Sequence, residues 1–272
     1  MDAKRGYVPE DERNFCPEAL ETMRTASRHI LYLINEGYDL KPAATFVGNH
    51  FLLSERQRLA IVRSLATKEQ LADRHQKEIP LARNETRQLQ PAANEIHNAP
   101  PAANEVHHAL PAAVMLTGLD GKEVWVDGFN TVITLEVLLS NSLLFDCMDG
   151  TVRDLAALRG TYRIIPETEG AVRMLFDVLQ AENVRKVNIL LDEPVSNSGR
   201  LKSLIADIGE HYPFALNIEI LRDVDRALYE KENVITSDSI ILDHCKSWAN
   251  VTAECMKRQA RQGLRVWSEE ST

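Results

Sequence analysis

The fold of this chain is indicated first by a short stretch near its middle, Val124-Trp125-Val126-Asp127-Gly128-Phe129-Asn130. An apolar run that leads into an aspartate and a glycine is typical of a buried strand that ends in a turn. Two other runs have a similar form: residues 187–191 lead to Asp192, and residues 233–235 lead to Asp238. The sequence therefore predicts three strands that each end at an aspartate.

Between these strands the apolar residues recur with the period of a helix. Residues 169–180, 200–208 and 248–261 have this helical spacing, whereas residues 215–221 form a further run typical of a strand. Residues 131–139 are largely apolar and fit either a strand or a helix. Alternating buried strands and helices predict an α/β fold, with a mostly parallel sheet flanked by helices.

Ahead of this region, residues 17–68 are predicted to form three short helices. Pro17 suits a first helical turn, Gly37 ends the first apolar stripe, and Ser54 with Gln57 makes a capping box for the third helix. The arrangement resembles a helix-turn-helix. Its basic side chains fit either a nucleic-acid surface or an ordinary solvated helical face. They are Arg24, Arg28, His29, Lys41, His50, Arg56, Arg58, Arg63 and Lys68.

A decapeptide repeat separates the two regions. Residues 91–100 read PAANEIHNAP and residues 101–110 read PAANEVHHAL. Prolines at this period interrupt long helices and favour an extended spacer. We therefore predict a helix-turn-helix-like domain at residues 1–75, a linker at 76–121 and an α/β domain at 122–272.

The composition limits the class of protein. Of the 272 residues, 44% are hydrophobic and 26% are charged, which is ordinary for a globular protein, and the formal net charge is -9. Nucleic-acid binding would therefore need a local basic patch. The four cysteines form no C-x-x-C pair, the N-terminus does not resemble a signal peptide, and no apolar run approaches the roughly 20 residues that span a bilayer. We expect a cytoplasmic protein without membrane contact.

The three strand-end aspartates are candidates for one site. Ligands of parallel sheets bind at the carboxyl ends of the strands, which is where Asp127, Asp192 and Asp238 are predicted to lie. Carboxylates that lie close together repel one another, so such a cluster is stable mainly around a cation. Oxygen ligands favour magnesium or manganese. Asp243, in the helix predicted after Asp238, is placed to join this set.

The residues around two of these aspartates resemble a known class of proteins. Asp127-Gly128-Phe129-Asn130 follows one predicted strand and Thr236-Ser237-Asp238 follows another, as in the motifs of the PIN and NYN nucleases. The match extends over residues 123–245, with the motifs in the same order. The resemblance implies a PIN/NYN-like sheet behind the helical domain.

The same resemblance implies a metal-dependent ribonuclease, with RNA as a partner. Asn130 and Ser237 would orient the substrate or the groups around the metal. The metal, Mg or Mn, would activate a water for attack on a phosphodiester bond. The ligands of this metal would be Asp127, Asp192, Asp238 and Asp243.

Three other acids bear on this interpretation. PIN domains also carry an acid at the start of a helix in mid-sequence, and Glu169 is the nearest candidate here. Glu136 would lie near the site if the first helix begins at Thr131. Asp149 precedes Gly150 in a predicted hairpin turn, so turn formation explains it without catalysis.

The two-part layout also resembles an uncharacterised prokaryotic family. That family pairs an N-terminal helical domain with a C-terminal domain bearing the phrase D-x-P-V-S-N-S-G-R, and residues 192–200 read DEPVSNSGR here. The N-terminal resemblance runs through Gly37-Tyr38 and Val47-Gly48-Asn49 to Arg56-Gln57-Arg58. This resemblance implies an architecture more than a function.

The SNSGR phrase has two interpretations. Hydroxyls, an amide and free backbone N–H groups before a helix would form an anion cradle, with the arginine as a bidentate phosphate contact. The other interpretation is an ordinary strand-to-helix loop with a capping residue. The residues concerned are Ser196, Asn197, Ser198, Gly199 and Arg200.

Three functions stay open at this point. The first is the metal-dependent ribonuclease, with the helical domain binding RNA. The second is a non-catalytic nucleic-acid-binding or regulatory protein that keeps the fold. The third is a phosphoryl-handling enzyme that acts on a small molecule, which the SNSGR loop and the acidic net charge favour.

Overall fold

The computed structural model describes residues 4–82, 118–156 and 160–268. The decapeptide repeat at 91–113, and with it most of the predicted linker, lies outside the described residues. The helices are α1 (Asp11–Asn14), α2 (Pro17–Asn35), α3 (Leu40–His50), α4 (Glu55–Ser64), α5 (Lys68–Lys77), α6 (Gly128–Leu139), α7 (Glu167–Ala181), α8 (Ser198–Gly209), α9 (Val224–Leu228), α10 (Ser239–His244) and α11 (Val251–Arg258). The strands are β1 (Glu123–Asp127), β2 (Leu144–Asp146), β3 (Val152–Asp154), β4 (Lys186–Asp192), β5 (Ala215–Leu221) and β6 (Val234–Ile235).

The N-terminal helices begin and end where the sequence indicates. Pro17 occupies the first turn of α2, and Gly37, with a φ of 90°, allows the chain to reverse after it. Ser54 and Gln57 form the expected capping box at the start of α4. The sequence reasoning did not separate α5, although Thr67 and Gln70 form a second capping box at its start.

Four parallel strands form the main sheet, in the order β5-β4-β1-β6. Successive side chains point to opposite faces of a strand, and both faces of this sheet are covered. Ile189 packs into the cluster that contains α6, α7 and α8, whereas Leu190 packs with α9 and α10. The expectation of an α/β fold with a mostly parallel, helix-flanked sheet and a helical N-terminal region is therefore confirmed.

The segment after Asp127 is a helix, which resolves the strand-or-helix ambiguity of residues 131–139. Gly128 is the first residue of α6. From the sequence, its role was predicted to be a sharp turn of the backbone after the strand. The structure gives a different reason for it. A Cβ at Gly128 would lie 2.7 Å from the carbonyl oxygen of Leu190 and 2.6 Å from a side-chain carbon of Leu191. The glycine is needed because α6 starts in close contact with β4.

A short antiparallel hairpin joins the sheet region to the helical region. Strands β2 and β3 pair across the predicted turn, where Gly150 has a φ of 77°. Phe145 of β2, together with Leu155 and Val266, belongs to the same hydrophobic cluster as α2, α3 and α4. The helical region therefore packs directly against the α/β region. The division at residues 75 and 121 stays a prediction.

Helix α5 contacts the sheet region from another side. The indole Nε1 of Trp248 donates a hydrogen bond of 2.8 Å to the carbonyl of Arg74, and the Ile79 amide donates to the Trp248 carbonyl at 2.7 Å.

In the part of the chain that is described, no helix is both long enough and apolar enough to cross a membrane.

Candidate active site at the carboxyl edge of the sheet

The three predicted aspartates lie at one edge of the main sheet. Asp127 ends β1 and Asp192 ends the neighbouring β4, with Asp127 in register with Leu190. Asp238 follows β6 on the other side of β1 and caps α10. Because these strands are parallel neighbours, their carboxyl ends meet at the same edge.

Asp127 is the most perturbed of these acids. Its side chain is buried, with 5% of the residue exposed. The pKa of the Asp127 carboxyl is raised to about 8, mainly by burial. A hydrogen bond from Thr236 lowers this pKa, and the negative charges of Asp238, Asp225 and Asp192 add to the rise. Loss of water and like charges both disfavour the ionised form. Asp127 is therefore a buried acid that keeps its proton at neutral pH unless a cation compensates its charge.

A network of polar side chains joins the ends of β1 and β6. The Thr236 hydroxyl donates to Oδ2 of Asp127 at 2.8 Å, and the Asp238 amide donates to the Thr236 oxygen at 3.0 Å. The amide oxygen of Asn130 accepts bonds of 2.9 Å from both the backbone N–H and the hydroxyl of Ser237. The Thr236 hydroxyl also lies 3.5 Å from the Asn130 oxygen, so the network connects four side chains and the backbone of Asp238. It includes Asn130 and Ser237, which the sequence singled out.

Asp238 has a structural role as well as its place at this edge. Its Oδ1 accepts hydrogen bonds from the backbone N–H groups of Ile240 and Ile241, at 2.8 and 3.3 Å. This is an N-cap, which satisfies amide groups that have no partner within α10. Since both bonds go to Oδ1, the cap fixes the orientation of the carboxylate beside the site.

The structure adds an acid that the sequence reasoning missed. Asp225, in the first turn of α9, follows the end of β5. Its pKa is raised by partial loss of solvent and then by the charges of Asp238, Asp192 and Asp223. The sequence could have indicated Asp225, because this acid follows the predicted strand at 215–221, just as the other three acids follow predicted strands. It was overlooked because Arg222 and Asp223 intervene.

The edge does not form a closed metal cage. Within the ranges that the structure describes, no three His, Cys, Asp or Glu side chains lie close enough together to hold a metal ion. Magnesium, however, usually keeps several waters and binds through one or two carboxylates and the phosphates of its substrate. A hydrated ion of that kind would need only one or two of the carboxylates at this edge, of which Asp127 is the buried one.

Asp243 contacts α5 and not the acids of this edge, so its assignment as a metal ligand stays a prediction that these contacts do not support. Its carboxylate pairs with the guanidinium of Arg74 at 2.7 Å and accepts a bond of 3.0 Å from Gln70. Both partners lie on α5. The side chain turns toward α5 because Arg74, itself buried, needs compensating carboxylates.

Arg74 belongs to a buried charge network behind the site. Asp149 lies between the guanidinium groups of Arg74 and Arg153, each 2.6 Å away. Burial alone would raise the pKa of the Asp149 carboxyl, but Arg153, Thr151 and Arg74 hold it below its usual value. Arg153 also donates to the carbonyl of Ser237 at 2.6 Å, which connects the network to the site.

The SNSGR loop uses most of its polar groups internally. The Ser196 hydroxyl accepts a bond from the Tyr162 amide and donates to the Tyr162 carbonyl, and the Asn197 amide donates to the same carbonyl at 2.7 Å. The Ser198 hydroxyl donates to the carbonyl of Val195. These internal bonds engage the side chains that were expected to cradle an anion, so that expectation stays a prediction without support from the geometry. Gly199 and Arg200 are exposed, and their anion contact stays a prediction.

The two glutamates considered from the sequence lie elsewhere. Glu169 is exposed on α7 and pairs with Arg173 one turn away, at 2.9 Å. Glu136 is fully buried in α6, where it accepts bonds from Arg5 at 2.8 Å and Tyr162 at 2.6 Å. Burial raises the pKa of the Glu136 carboxyl, and these partners oppose the rise. Both glutamates have structural partners that account for them.

A cleft of about 610 Å³ opens beside the site, between the helical region and the sheet edge. Its apolar walls come from the helical region, α6 and α10: Leu40, Pro42, Val62, Ile133 and Ile240. Its polar residues include Lys41, Arg63, Asn130, Ser237 and Asp238. The cleft therefore connects cationic side chains of the helices with the polar network at the strand ends.

Several basic residues of the helical region are committed to internal contacts. Arg56 forms a two-point ion pair with Asp11, and Arg58 donates to the Leu53 carbonyl at 2.9 Å. Arg24 donates to the carbonyl of Arg265 at 3.1 Å. The density of basic residues in the sequence therefore overstates the charge that this surface offers to a nucleic acid.

These features define an α/β protein with a parallel, helix-flanked sheet, an acidic strand-end site and a helical region packed beside it. Comparisons with known proteins agree with the two-part layout. Residues 116–254 match the family described as Domain of unknown function (DUF5616), and residues 22–77 match the family described as Protein of unknown function (DUF434). The first match spans more than half of the chain, which therefore belongs to that family.

A relative that matches this chain over most of its length occurs in an archaeon. The chain is 28% identical over 238 residues to an uncharacterized protein of Methanocaldococcus jannaschii, and the match spans 87% of this chain and 97% of that protein. No solved structure matches the chain.

Proposed function

We propose that this protein is a metal-dependent hydrolase of phosphodiester bonds in RNA, with Mg²⁺ or Mn²⁺ as its cofactor. The observation that carries the proposal is the buried Asp127, whose neighbours at the strand ends are Asp238, Asp192 and Asp225. A protein gains little from several carboxylates at one apolar edge unless a cation compensates their charge. The PIN/NYN-like arrangement of Asp127 with Asn130 and of Ser237 with Asp238 supports the same activity.

The side chains of the site have distinct tasks in this proposal. Asp127 and Asp238 hold the hydrated ion, with Asp192 beside them. When bound, the ion would supply a water of lowered pKa and would neutralise charge that develops on the phosphate. Thr236 keeps Asp127 oriented through its 2.8 Å hydrogen bond. The oxygen of Asn130 is occupied by Ser237, so its Nδ2 group is what Asn130 offers to the substrate.

The proton on Asp127 sets a pH dependence. With a pKa of about 8 in the absence of metal, most Asp127 side chains are protonated at neutral pH. Binding of a divalent cation has to displace that proton, so metal affinity and activity rise with pH until Asp127 is ionised. The expected profile increases through neutrality and levels off above about pH 8.

RNA cleavage with divalent metal tests this proposal. The assay compares Mg²⁺, Mn²⁺ and EDTA on a labelled single-stranded RNA, with the variants Asp127→Asn and Asp238→Asn. Glu169→Gln is the matched control, because it also neutralises one acid but lies on the exposed face of α7. We expect metal-dependent cleavage in the parent and control proteins only. Cleavage that survives in both site variants would overturn the proposal.

A second candidate function is a nucleic-acid-binding or regulatory protein without catalysis. It is favoured by one observation, that no three metal-donor side chains cluster within the described ranges. Salt-sensitive RNA binding without turnover, at any divalent metal tested, would support this second function over the first.

A further inference from the structure

We propose that the cleft between the helical region and the sheet edge binds one or two nucleotides, and that the substrate is a short single-stranded oligoribonucleotide. Cleavage of this substrate rests on the proposed function, whereas its binding depends only on the cleft. The helical region would then act as the second wall of the site instead of a separate nucleic-acid-binding module.

The size of the cleft suits a small ligand. Its volume of about 610 Å³ lies within the range of roughly 300–1,000 Å³ that is usual for pockets that bind one small molecule. Asn130, Ser237 and Asp238 are among its lining residues, so a ligand seated there reaches the strand-end site. A base-paired helix would have to remain outside, because the cleft is bounded by α3 and α4 on one side and by α10 on the other.

The chemistry of the walls matches the parts of a nucleotide. Ile240 leaves 52% of its surface exposed toward solvent, although it lines a cleft with Pro42 and Ile133. A base placed between these apolar side chains would remove them from water. Lys41 and Arg63 line the same cleft and carry positive charge for phosphate, with Arg63 also contacting Asp154 through one guanidinium nitrogen. Asn130 lines the same cleft.

The distribution of charge disfavours a long or duplex substrate. A polynucleotide is held by many cations along its backbone, and its affinity depends on the counterions released at each phosphate. Here the net charge is -9, and Arg56, Arg58 and Arg24 are bound to groups of the same chain. The cleft offers Lys41 and the second guanidinium nitrogen of Arg63, whose other terminal nitrogen contacts Asp154. Its lining also includes the acids Asp39, Asp154 and Asp238. With two phosphate contacts, the expected slope of log affinity against log salt is only about -1.4 for a single strand.

Binding of labelled RNA to the full chain in EDTA tests this inference, because EDTA prevents cleavage. The probes are a pentanucleotide, a long single strand and a hairpin duplex that carry the same dye. Ile240→Trp fills the cleft at an exposed position, and Lys41→Ala removes one cation. Leu52→Ala is the control, because Leu52 is 88% exposed and does not line the cleft.

We expect the pentanucleotide to bind about as tightly as the long strand, and the duplex to bind at least about tenfold more weakly. Ile240→Trp should weaken pentanucleotide binding by about tenfold, whereas Lys41→Ala should reduce the salt slope by about 0.7. Leu52→Ala should bind normally. Circular dichroism verifies that Ile240→Trp is folded, and Lys41→Ala provides an independent test of the same cleft.

Three results would overturn the inference. They are the absence of pentanucleotide binding, much tighter binding of the long strand or the duplex with a steep salt slope, and normal binding by both cleft variants. Failure of the proposed function would look different. In that case the pentanucleotide would bind and respond to both cleft variants, but no metal would produce cleavage.

Discussion

The hydroxyl of Thr236 donates a hydrogen bond of 2.8 Å to Oδ2 of Asp127. Thr236 directly follows β6, the strand that pairs with β1, and Asp127 ends β1. The bond stabilises the ionised carboxylate, because an ionised oxygen is the stronger acceptor. It is the main influence that lowers the pKa of Asp127 against burial and three neighbouring acids. Thr236 therefore helps to set the pH at which Asp127 binds a cation.

Replacing Thr236 by valine should raise the pKa of Asp127 further, because the substitution removes the hydrogen bond and retains the shape. At neutral pH, each additional pKa unit lowers the ionised fraction of Asp127 by about tenfold. The pH profile of metal binding should therefore move to higher pH in Thr236→Val. Thr236→Ser retains the hydroxyl and should follow the parent profile. Identical profiles for all three proteins would contradict this role.

Asp127 should make the metal-free protein less stable as the pH rises. Its folded pKa of about 8 lies above its value in an unfolded chain, so the folded state holds the extra proton between these two values. Stability is then fully present at low pH and is lost as the pH rises toward 8. Asp127→Asn removes this titration, so its stability relative to the parent should grow by up to about 1.4 kcal/mol per pH unit. Urea unfolding in EDTA at several pH values measures the difference, and a constant difference would refute the assignment.

Asp149 should be far more important for stability than an exposed acid. Asp149→Asn leaves the buried guanidinium groups of Arg74 and Arg153 without their shared partner, a change that typically destabilises a protein by about 3–5 kcal/mol. Glu169→Gln, which breaks an exposed pair, should change stability by less than about 1 kcal/mol. Urea unfolding near neutral pH compares the two variants. Equal effects would show that the network contributes nothing beyond a surface pair.

Gly128→Ala should destabilise the fold through a clash instead of through the loss of a turn. The new methyl group would meet the carbonyl oxygen of Leu190 at 2.7 Å, and a backbone atom of a central strand cannot move aside easily. Overpacking of this kind typically costs about 1–3 kcal/mol. Gly199→Ala is the matched control, because nothing lies within 4 Å of a Cβ at that position. Thermal unfolding of the two variants distinguishes them, and an unaffected Gly128→Ala would refute the close contact.

Much of the fold could be predicted from the sequence, because its signals are local. The capping box of Ser54 and Gln57 and the apolar run before Asp192 depend on neighbours in the chain, and the structure contains both features. Asp127 and Asp238 could be assigned to one edge because parallel strands fix that geometry. Asn130 and Ser237 were expected near these two aspartates, and the structure joins Asn130 and Ser237 to each other by direct hydrogen bonds.

The parts that could not be predicted depend on partners far away in the sequence. Asp243 resembled a metal ligand until Arg74, 169 residues earlier, proved to be its partner. Ser196 and Asn197 resembled a phosphate cradle, but the backbone of Tyr162 takes their hydrogen bonds. A single sequence does not show which buried arginine or carbonyl will compete for a polar side chain, and burial decides that competition.

The most direct test of the cation site is Mn²⁺ binding, followed by electron paramagnetic resonance of the free ion. Titrations should include the parent protein and the variants Asp127→Asn, Asp238→Asn, Asp243→Asn and Glu169→Gln. The strand-end site predicts one bound Mn²⁺ whose affinity falls at least about tenfold in the first two variants and is unchanged in the last two. Absence of binding in the parent protein, or loss of binding in Asp243→Asn with Asp127→Asn unaffected, would contradict the site.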